Sequence, residues 1–306
     1  MTAMTTSLPR LVVFGEALTD FVRTSDQSWT SVAGGACWNV ARVAGTLDIG
    51  TAWAGAVSDD FFGEEILEKS RTAHLDLRFI QKVSKPPLIA MVHQTAPPRY
   101  FFLGNDSADL AFDEKKLPVG WEDACEIAHF GCISLVRQPL GEKLVGIARD
   151  LKRRGTRISY DPNYRNVMGP NFSVQFEEMA QLADIIKLSD EDLEQIYPNI
   201  PSKVSLQRVR EISPRANILF TRGASGLALL TPVGILEQSA FAVTVADTVG
   251  AGDACIGGFI SSLLLAPDQN PAHHLQFAAA TAAAACTHTG AHAPTRTQVQ
   301  ALISRN

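Results

Sequence analysis

Cysteine is scarce in this chain, and the few that occur follow no metal-binding spacing. The 306 residues include five cysteines, an odd number, and no two of them form a Cys-x-x-Cys pair. We therefore expect neither a disulfide framework nor a structural zinc site. Small buried thiols in a reducing compartment fit this usage, and we predict a cytoplasmic protein.

Long hydrophobic runs and clusters of positive charge are missing as well. No apolar stretch reaches the ~18 residues of a membrane span, and the polar segment 1–10 lacks the apolar core of a signal peptide. The net charge is −5 with no Lys/Arg run, so we expect neither nucleic acid nor a membrane as a partner. The 46% hydrophobic content suffices for a large buried core, and we predict a single α/β domain over residues 1–306.

Two common nucleotide-binding motifs are also absent. The P-loop pattern Gly-x-x-x-x-Gly-Lys-Ser/Thr occurs nowhere in the chain. The first apolar run, Leu11–Phe14, is followed by Gly-Glu-Ala-Leu-Thr instead of Gly-x-Gly-x-x-Gly. A dinucleotide-dependent dehydrogenase is therefore a poor interpretation.

What the chain does contain is an alternation of short apolar runs with helical segments. The pattern predicts strands at 11–14, 51–57, 127–130, 157–160, 185–188 and 218–221, and a further strand-like run at 241–245. It predicts helices at 36–44, 61–71, 140–153 and, in an alanine-rich stretch, 275–286, with an antiparallel strand from 226 to 231. Buried strands that alternate with helices indicate an α/β fold with a doubly wound parallel sheet flanked by helices.

A different pattern interrupts this alternation at residues 88–103. The segments 88–92 and 99–103 alternate and carry aromatic residues, and the turn signal Thr-Ala-Pro-Pro lies between them at 95–98. Such a pair predicts a β-hairpin. Its place between α/β segments indicates a small sheet that projects from the main body.

The strongest chemical signal is the run Asp-Thr-Val-Gly-Ala-Gly-Asp at 247–253, directly before an apolar helical segment. Small residues at a helix N-terminus leave free backbone N–H groups that can hold an anion. Asp253 lies just inside the helix start, where the dipole favours its ionised form. A carboxylate beside an anion site suits phosphoryl transfer to an alcohol. From the spacing alone, an aspartate that merely favours a helix start stays an equal alternative.

Two long motifs, more than 200 residues apart, resemble the signatures of the ribokinase-like (PfkB) carbohydrate kinase family. The segment 247–260 is similar to the C-terminal signature, and Gly34-Gly-Ala-Cys-Trp-Asn39 with the following residues to Gly63 is similar to the N-terminal one. Further segments resemble the fructokinase branch, among them Gly15-Glu-Ala-Leu-Thr-Asp20 and Asp161-Pro-Asn-Tyr-Arg165. The resemblance extends over about residues 11–295.

The resemblance implies a ribokinase-like body with a small β-sheet lid, whose strands we expect within about 16–33 and 86–104. It implies ATP, Mg²⁺ and a small-molecule sugar, often with a stimulating K⁺ or other monovalent cation, and it leaves a homodimer open. The expected activity is ATP-dependent phosphorylation of a primary hydroxyl on a neutral sugar, with fructose as the leading substrate. The alternatives are a kinase of the same family for 2-keto-3-deoxygluconate, ribose or a nucleoside, or a non-catalytic sugar or nucleotide sensor. The intact Asp253 argues against the sensor.

The matching positions also imply roles for individual residues. Asp253 is the expected base, and the expected anion hole consists of Gly250, Ala251 and Gly252. The residues expected to hold the sugar are Asp20, Gly34, Gly35, Asn39 and Arg165. The residues expected at the nucleotide are Lys187, Ser189, Thr221, Gly223 and Gly226. A monovalent cation is expected near Asp247, the Val249 carbonyl and Gly290.

Two positions depart from the family pattern. The metal-associated Asn-x-x-Glu is replaced by Ser189-Asp-Glu-Asp192, so the shorter Asp192 stands where a glutamate would be linked to Mg²⁺ through water. Gly104 stands where fructokinases usually have an arginine near the sugar. Loss of that fixed donor fork predicts looser sugar selection.

Overall fold

The computed structural model describes residues 7–95, 98–169 and 171–305. Its strands are β1 (Leu11–Phe14), β2 (Leu18–Arg23), β3 (Trp29–Gly34), β4 (Thr51–Ser58), β5 (Ile80–Val83), β6 (Ile89–Thr95), β7 (Pro98–Leu103), β8 (Ile127–Gly131), β9 (Arg157–Asp161), β10 (Ile185–Ser189), β11 (Asn217–Thr221), β12 (Leu227–Thr231) and β13 (Gly234–Gln238). Its helices are α1 (Ala36–Thr46), α2 (Phe61–Thr72), α3 (Trp121–Ala124), α4 (Leu140–Arg154), α5 (Phe172–Leu182), α6 (Asp190–Ile196), α7 (Ser202–Ile212), α8 (Ala251–Leu265), α9 (Pro271–Ala285) and α10 (Arg296–Ile303).

The main sheet has nine strands in the order β13-β12-β11-β10-β9-β8-β1-β4-β5. The seven strands β11, β10, β9, β8, β1, β4 and β5 are parallel to their neighbours in this order. β12 and β13 extend the sheet beyond β11 in antiparallel fashion. The chain winds from β1 toward β5 and then returns to build outward from β8. This confirms the predicted doubly wound sheet, and it places a switch point beyond the carboxyl ends of β1 and β8, where such folds bind ligands.

Each parallel strand is apolar on both sides because helices cover both faces of the sheet. In β1, Val12 and Phe14 belong to one core layer, with α4 and α5, while Leu11 and Val13 belong to the other, with α1, α8 and α9. This double burial explains why the strands appear in the sequence as continuous hydrophobic runs.

The second sheet is small and has the order β3-β2-β6-β7. The predicted hairpin is confirmed as the antiparallel pair β6 and β7, although residues 96 and 97 of its predicted turn lie outside the described residues. β2 pairs with β6 in parallel and with β3 in antiparallel fashion. β2 lies inside the expected range 16–33, and β3 extends one residue beyond it, to Gly34. That the whole chain forms a single domain stays a prediction.

One predicted strand is wrong. Residues 241–245 form neither strand nor helix, although Phe241 is buried in the helical core layer. The segment follows the edge strand β13 in the chain, and no strand pairing among the described residues includes it. Its continuation is bonded instead to the end of α9, since the N–H of Ala246 donates to the carbonyl of Cys286 at 2.8 Å.

The remaining predictions about composition concern cysteines and membranes. All five cysteines have free thiols, and four of them are buried. Among residues 7–95, 98–169 and 171–305, no helix combines the length and the apolarity that crossing a bilayer requires.

Candidate active site

Glu16 organises the switch point of the sheet. It follows β1, is almost fully buried, and accepts the N–H of Ala36 at 3.0 Å and the hydroxyl of Ser134 at 3.2 Å. Burial raises the pKa of this carboxyl, and the same hydrogen bonds partly oppose the rise. Glu16 therefore joins the loop after β1 to the start of α1 and to the segment that follows β8.

Asp253 is the third residue of α8 and is buried. Its Oδ2 accepts the side-chain amide of Asn39 at 2.9 Å, and its Oδ1 accepts that of Asn163 at 3.4 Å. Burial raises its pKa, whereas the bond from Asn39 and the charges of Lys187 and Arg165 lower it. The carboxyl group is thus fixed in position and kept basic enough to accept a proton.

The first turn of α8 offers free backbone donors. The helix starts after Gly250, which has φ 77° and provides no side-chain cap. A Cβ on Gly250 would lie 2.7 Å from the Cβ of Ala291, so only glycine fits there. Ala251 donates its N–H to the carbonyl of Thr248, while the N–H groups of Gly252 and Asp253 have no acceptor within the described ranges. Within the predicted anion hole, Gly252 therefore supplies a free donor and Ala251 closes the turn.

Lys187, the middle residue of β10, lies against this turn. Its ammonium group is 3.2 Å from Asp161 and 3.6 Å from Asp192. A Cβ on Gly252 would be 3.2 Å from the same Nζ, so the ammonium packs directly against the start of α8. The positive charge keeps the pKa of Asp161 from rising beyond about 7, to which burial raises it.

Asp192 and Ser189 form a filled capping box at the start of α6. The Ser189 hydroxyl accepts the N–H of Asp192, and Oδ2 of Asp192 accepts the N–H of Ser189, both at 2.9 Å. Oδ1 of Asp192 accepts the N–H of Tyr164 at 2.8 Å. Burial opposes ionisation of Asp192, but the charge of Lys187 and these bonds hold its pKa below the usual range. Both oxygens are therefore engaged within the protein.

The residues predicted for the sugar lie where the small sheet meets α1. Asp20 of β2 packs against Gly34, where an added Cβ would overlap the carboxylate, and Gly35 with φ 118° precedes α1. The pKa of Asp20 is raised to about 7, mainly by burial and also by the charges of Glu16 and Asp253, while Arg165 opposes the rise. Arg165 stacks on the ring of Tyr100 at 5.2 Å. Asp20 lies against Gly34 just before α1, and Asn39 of α1 donates to Asp253, so the start of this helix links the two carboxyls.

The predicted nucleotide residues lie at the end of β11. Thr221 ends this strand, its hydroxyl donates to the carbonyl of Leu188 at 3.3 Å, and Gly223 and Gly226 have positive φ angles of 51° and 85° around a short 3₁₀ turn. Because Thr221 pairs with Ser189, which precedes α6, this turn lies beside the start of α6.

Asp247 ties the loop before α8 to the loop after α9. Its carboxylate accepts the N–H of Val249 at 3.1 Å and that of Gly290 at 2.8 Å. Burial opposes ionisation, but these backbone donors hold the pKa of Asp247 below its usual range. The three residues predicted for a monovalent cation are therefore adjacent. Groups of three or more acidic, histidine or cysteine side chains that could hold a metal do not occur in the part of the chain that is described.

Comparison with known proteins decides the family. The model of the pfkB family carbohydrate kinases matches residues 8–298. The chain belongs to the pfkB family. A fructokinase of Rhizobium leguminosarum bv. trifolii is 31% identical over 258 residues, which cover 81% of this chain and 78% of that relative.

Solved structures agree with this assignment. A crystal structure of fructokinase with bound ATP from Xylella fastidiosa superimposes with a TM-score of 0.87 at 25% identity, covering 97% of this chain and 99% of that one. A fructokinase from Vibrio cholerae O395 in a fructose, ADP and calcium ion bound form gives a TM-score of 0.85 at 25% identity, covering 96% and 99%. This pfkB-family protein is therefore an ATP-dependent sugar kinase with a ribokinase-like fold, as the sequence predicted.

Several polar residues of this kinase site were given no role from the sequence. Asp161 and Asn163 belong to the same Asp-Pro-Asn-Tyr-Arg segment as Arg165, and Glu16 belongs to the segment that leads to Asp20. Their position directly after parallel strands was the signal available, because carboxyl ends of neighbouring strands meet at one edge. The contact of Tyr100 with Arg165 had no such signal.

Proposed function

We propose that the protein transfers the γ-phosphoryl group of ATP to a primary hydroxyl of fructose. The observation that carries this proposal is the position of Asp253, a buried carboxyl inside the uncapped first turn of α8 that accepts a hydrogen bond from Asn39 of α1, the helix that starts beside Asp20. An anion site, a proton acceptor and a carboxylate for hydroxyls are thus adjacent. The relatives named fructokinase support the choice of sugar.

The chemistry follows from this arrangement. The sugar O–H donates its proton to Asp253 while the sugar oxygen forms a bond to the γ-phosphorus. The bond from phosphorus to the β–γ bridging oxygen breaks, and its electron pair leaves with ADP. The free N–H groups of Gly252 and Asp253 face negative charge on the phosphoryl oxygens, with Gly250 and Ala251 shaping the turn, so that catalysis rests on positioning and electrostatic stabilisation.

Sugar recognition is assigned to the residues around β2 and α1. Asp20 would accept from sugar hydroxyls, the backbone at Gly34 and Gly35 would donate, and Arg165 would supply a cationic donor. The amide of Asn39 is already shared, because it donates to Asp253 and accepts from Arg42 at 3.4 Å. Asn39 would therefore act at the sugar while it orients the base.

The space at Gly104 is filled by another arginine. Arg137 donates to the Gly104 carbonyl at 2.6 Å and pairs with the buried Asp109 at 2.7 Å. A Cβ at Gly104 would overlap Leu88 and lie 2.7 Å from the Ser107 hydroxyl. An arginine introduced there would disturb this cluster, so sugar choice is better tested on the unaltered enzyme.

Nucleotide and ion binding complete the proposal. We assign the ATP site to Thr221, Gly223, Gly226, Ser189 and Lys187. Mg²⁺ would arrive on the phosphates and keep most of its waters, and Asp192, whose oxygens are engaged, would reach it only through water. K⁺ would be held by backbone carbonyls of the joined loops around Asp247, Val249 and Gly290. Equal kcat/KM in potassium and in tetramethylammonium, at matched ionic strength, would remove K⁺ from this proposal.

The decisive experiment compares kcat/KM for fructose, 2-keto-3-deoxygluconate, ribose and nucleosides. We expect fructose to lead, since a buried sugar carboxylate would need a cationic partner, Arg165 is the single cation assigned to the sugar, and Gly104 stands where a second arginine would be expected. We also expect measurable activity on a second neutral sugar. A preference for the sugar acid would overturn the fructose assignment and leave the sugar kinase activity intact. The free thiols fit the further proposal that the enzyme works in the reducing cytoplasm.

A further inference from the structure

Lys187 combines deep burial with a position at the phosphoryl site. Its side chain is 5% exposed, and its only carboxylate partners among the described residues are Asp161 and Asp192. Its Nζ lies against Gly252, whose N–H is free. A buried ammonium has three donors, and here they lie immediately below the free backbone donors of α8.

Backbone N–H groups hold both carboxylates that pair with the ammonium. Asp192 is held by the N–H groups of Tyr164 and Ser189. Oδ1 of Asp161 accepts the N–H of Asn163 at 3.0 Å. Since both anions are fixed by the backbone, the position of the cation is fixed before any ligand binds. Such preorganisation is what makes a charge effective in catalysis.

Stability alone gives little reason to bury this cation. A buried ion pair contributes little net stability compared with apolar side chains of the same size. In contrast, a fixed positive charge beside free N–H groups attracts the negative charge that spreads over phosphoryl oxygens during transfer. The electrostatic attraction between this charge and the phosphoryl oxygens is stronger in a site from which water is excluded.

We propose that Lys187 is a catalytic residue that contacts the phosphoryl group during its transfer, with Asp161 as its positioning residue. This inference rests on the proposed function and extends it from nucleotide binding to the transfer step. Lys187 stays protonated throughout: the sugar proton passes to Asp253, and the electron pair of the broken P–O bond leaves with ADP. Its role is therefore to neutralise charge in the transition state, without a proton transfer of its own.

The test uses Lys187→Met, with Lys152→Met as its matched control. Lys152 also pairs with an aspartate, Asp184, but at the partly exposed start of β10. We expect Lys187→Met to lower kcat by ~10²–10³-fold, the usual loss of one oxyanion donor, with KM for the sugar within about threefold of wild type. Lys152→Met should leave both constants unchanged. A kcat above one third of wild type would overturn the proposal.

A binding measurement separates catalysis from a structural role and from simple ATP binding. ADP with aluminium fluoride and Mg²⁺ mimics the transferring phosphoryl group, and calorimetry compares its affinity with that of ADP alone. We expect Lys187→Met to lose about 100-fold in affinity for the fluoride complex, or ~2.7 kcal/mol in binding free energy, and less than threefold for ADP. Equal losses for both ligands would overturn the catalytic role.

Lys187→Met leaves two buried carboxylates without their cation. If this prevents folding, a second variant tests the proposal. Lys187→Met combined with Asp161→Asn removes one positive and one negative charge together, so the buried net charge is unchanged. We expect it to fold and to show the same loss of fluoride-complex affinity. Full affinity in the folded double variant would contradict the proposal. This readout needs no sugar, so a failure of the fructose assignment leaves it interpretable.

Discussion

Two helices, α6 and α8, both start beside Lys187, but side chains cap the first turn of α6 and leave the first turn of α8 uncapped. In α6, the Ser189 hydroxyl accepts the N–H of Asp192, the third residue of the helix, and the Asp192 carboxylate accepts the N–H of Ser189. In α8, Gly250 offers no side chain, and Asp253 at the third position points to Asn39 and Asn163. A helix that satisfies its own N-terminus gains stability, whereas one that leaves it open can bind an anion.

The same residue type therefore has opposite electrostatics in the two helices. Burial opposes ionisation of both carboxyls. In Asp192 the charge of Lys187 and the bonds from Ser189 and Tyr164 prevail, so the pKa falls. In Asp253 burial prevails over Asn39, Lys187 and Arg165, so the pKa rises. We infer that Asp192 holds α6 and Lys187 in place and that Asp253 takes part in the proton transfer itself.

The largest test of this contrast is Asp253→Asn. The amide keeps the size of the side chain but cannot accept the sugar proton, so kcat should fall by ~10²–10⁴-fold, the usual range for a general base. Binding of ATP and of sugar, measured by calorimetry, should stay within a few-fold of wild type. A variant that retains more than half of the wild-type kcat would remove Asp253 from the base role.

Asp192→Asn should lower stability strongly and activity only slightly, the reverse of what we expect for Asp253→Asn. It removes one partner of the buried ion pair with Lys187 and weakens the cap of α6, so the free energy of unfolding should fall by about 3 kcal/mol. At a temperature where the variant remains folded, kcat should decrease far less than in Asp253→Asn. Urea unfolding measures the first effect and steady-state kinetics the second. A normal stability combined with a raised requirement for Mg²⁺ would instead favour the metal-linked role predicted from the sequence.

Gly252→Ala tests whether the open turn must stay open. Alanine favours the helix by ~1 kcal/mol, but its methyl group would lie 3.2 Å from the ammonium of Lys187 and beside the free N–H groups. We expect unchanged or higher stability together with a roughly tenfold loss of kcat/KM, or ~1.4 kcal/mol.

The matched control is Gly146→Ala, inside α4, where an added Cβ meets no heavy atom within 4 Å. It should raise stability by a similar amount and leave kinetics unchanged. If both substitutions were kinetically silent, the first turn of α8 would not be the site of the phosphoryl group.

The sequence predicted the open turn better than the closed one. Gly-Ala-Gly-Asp before an apolar run marks a helix start with free donors, and the structure has one there. Ser189-x-x-Asp192 also fits a capping box, but its likeness to a metal-associated motif directed the interpretation to Mg²⁺. The pair of Asp161 and Lys187 joins two strands 26 residues apart, and no periodicity specifies which strand ends face each other.

The fold shows the same division between local and non-local information. The parallel strands were predictable because burial on both faces gives continuous apolar runs. The run 241–245 looked equally apolar, yet it forms no strand, and the chain directly after it bonds to the end of α9. Strand β3, by contrast, is exposed along Trp29–Val32 and carries no hydrophobic signal.

The smallest expected effect extends the contrast to a third carboxyl, Asp20. Its folded pKa of about 7 lies above the ordinary 3.8, so the folded protein binds a proton at this group more tightly than the unfolded chain does. The contribution to stability is therefore largest below about pH 4 and is lost as the pH rises through 7.

Asp20→Asn, which cannot ionise, should be more stable than wild type at pH 8, on the order of 1 kcal/mol after solvent screening, and should lose this advantage toward pH 5. Urea unfolding of both ligand-free proteins between pH 5 and 8 measures the difference. Asp26→Asn, on the exposed turn after β2, shows how much a surface carboxylate alone contributes. A stability difference for Asp20→Asn that does not change with pH would show that Asp20 ionises as freely in the folded site as in the unfolded chain.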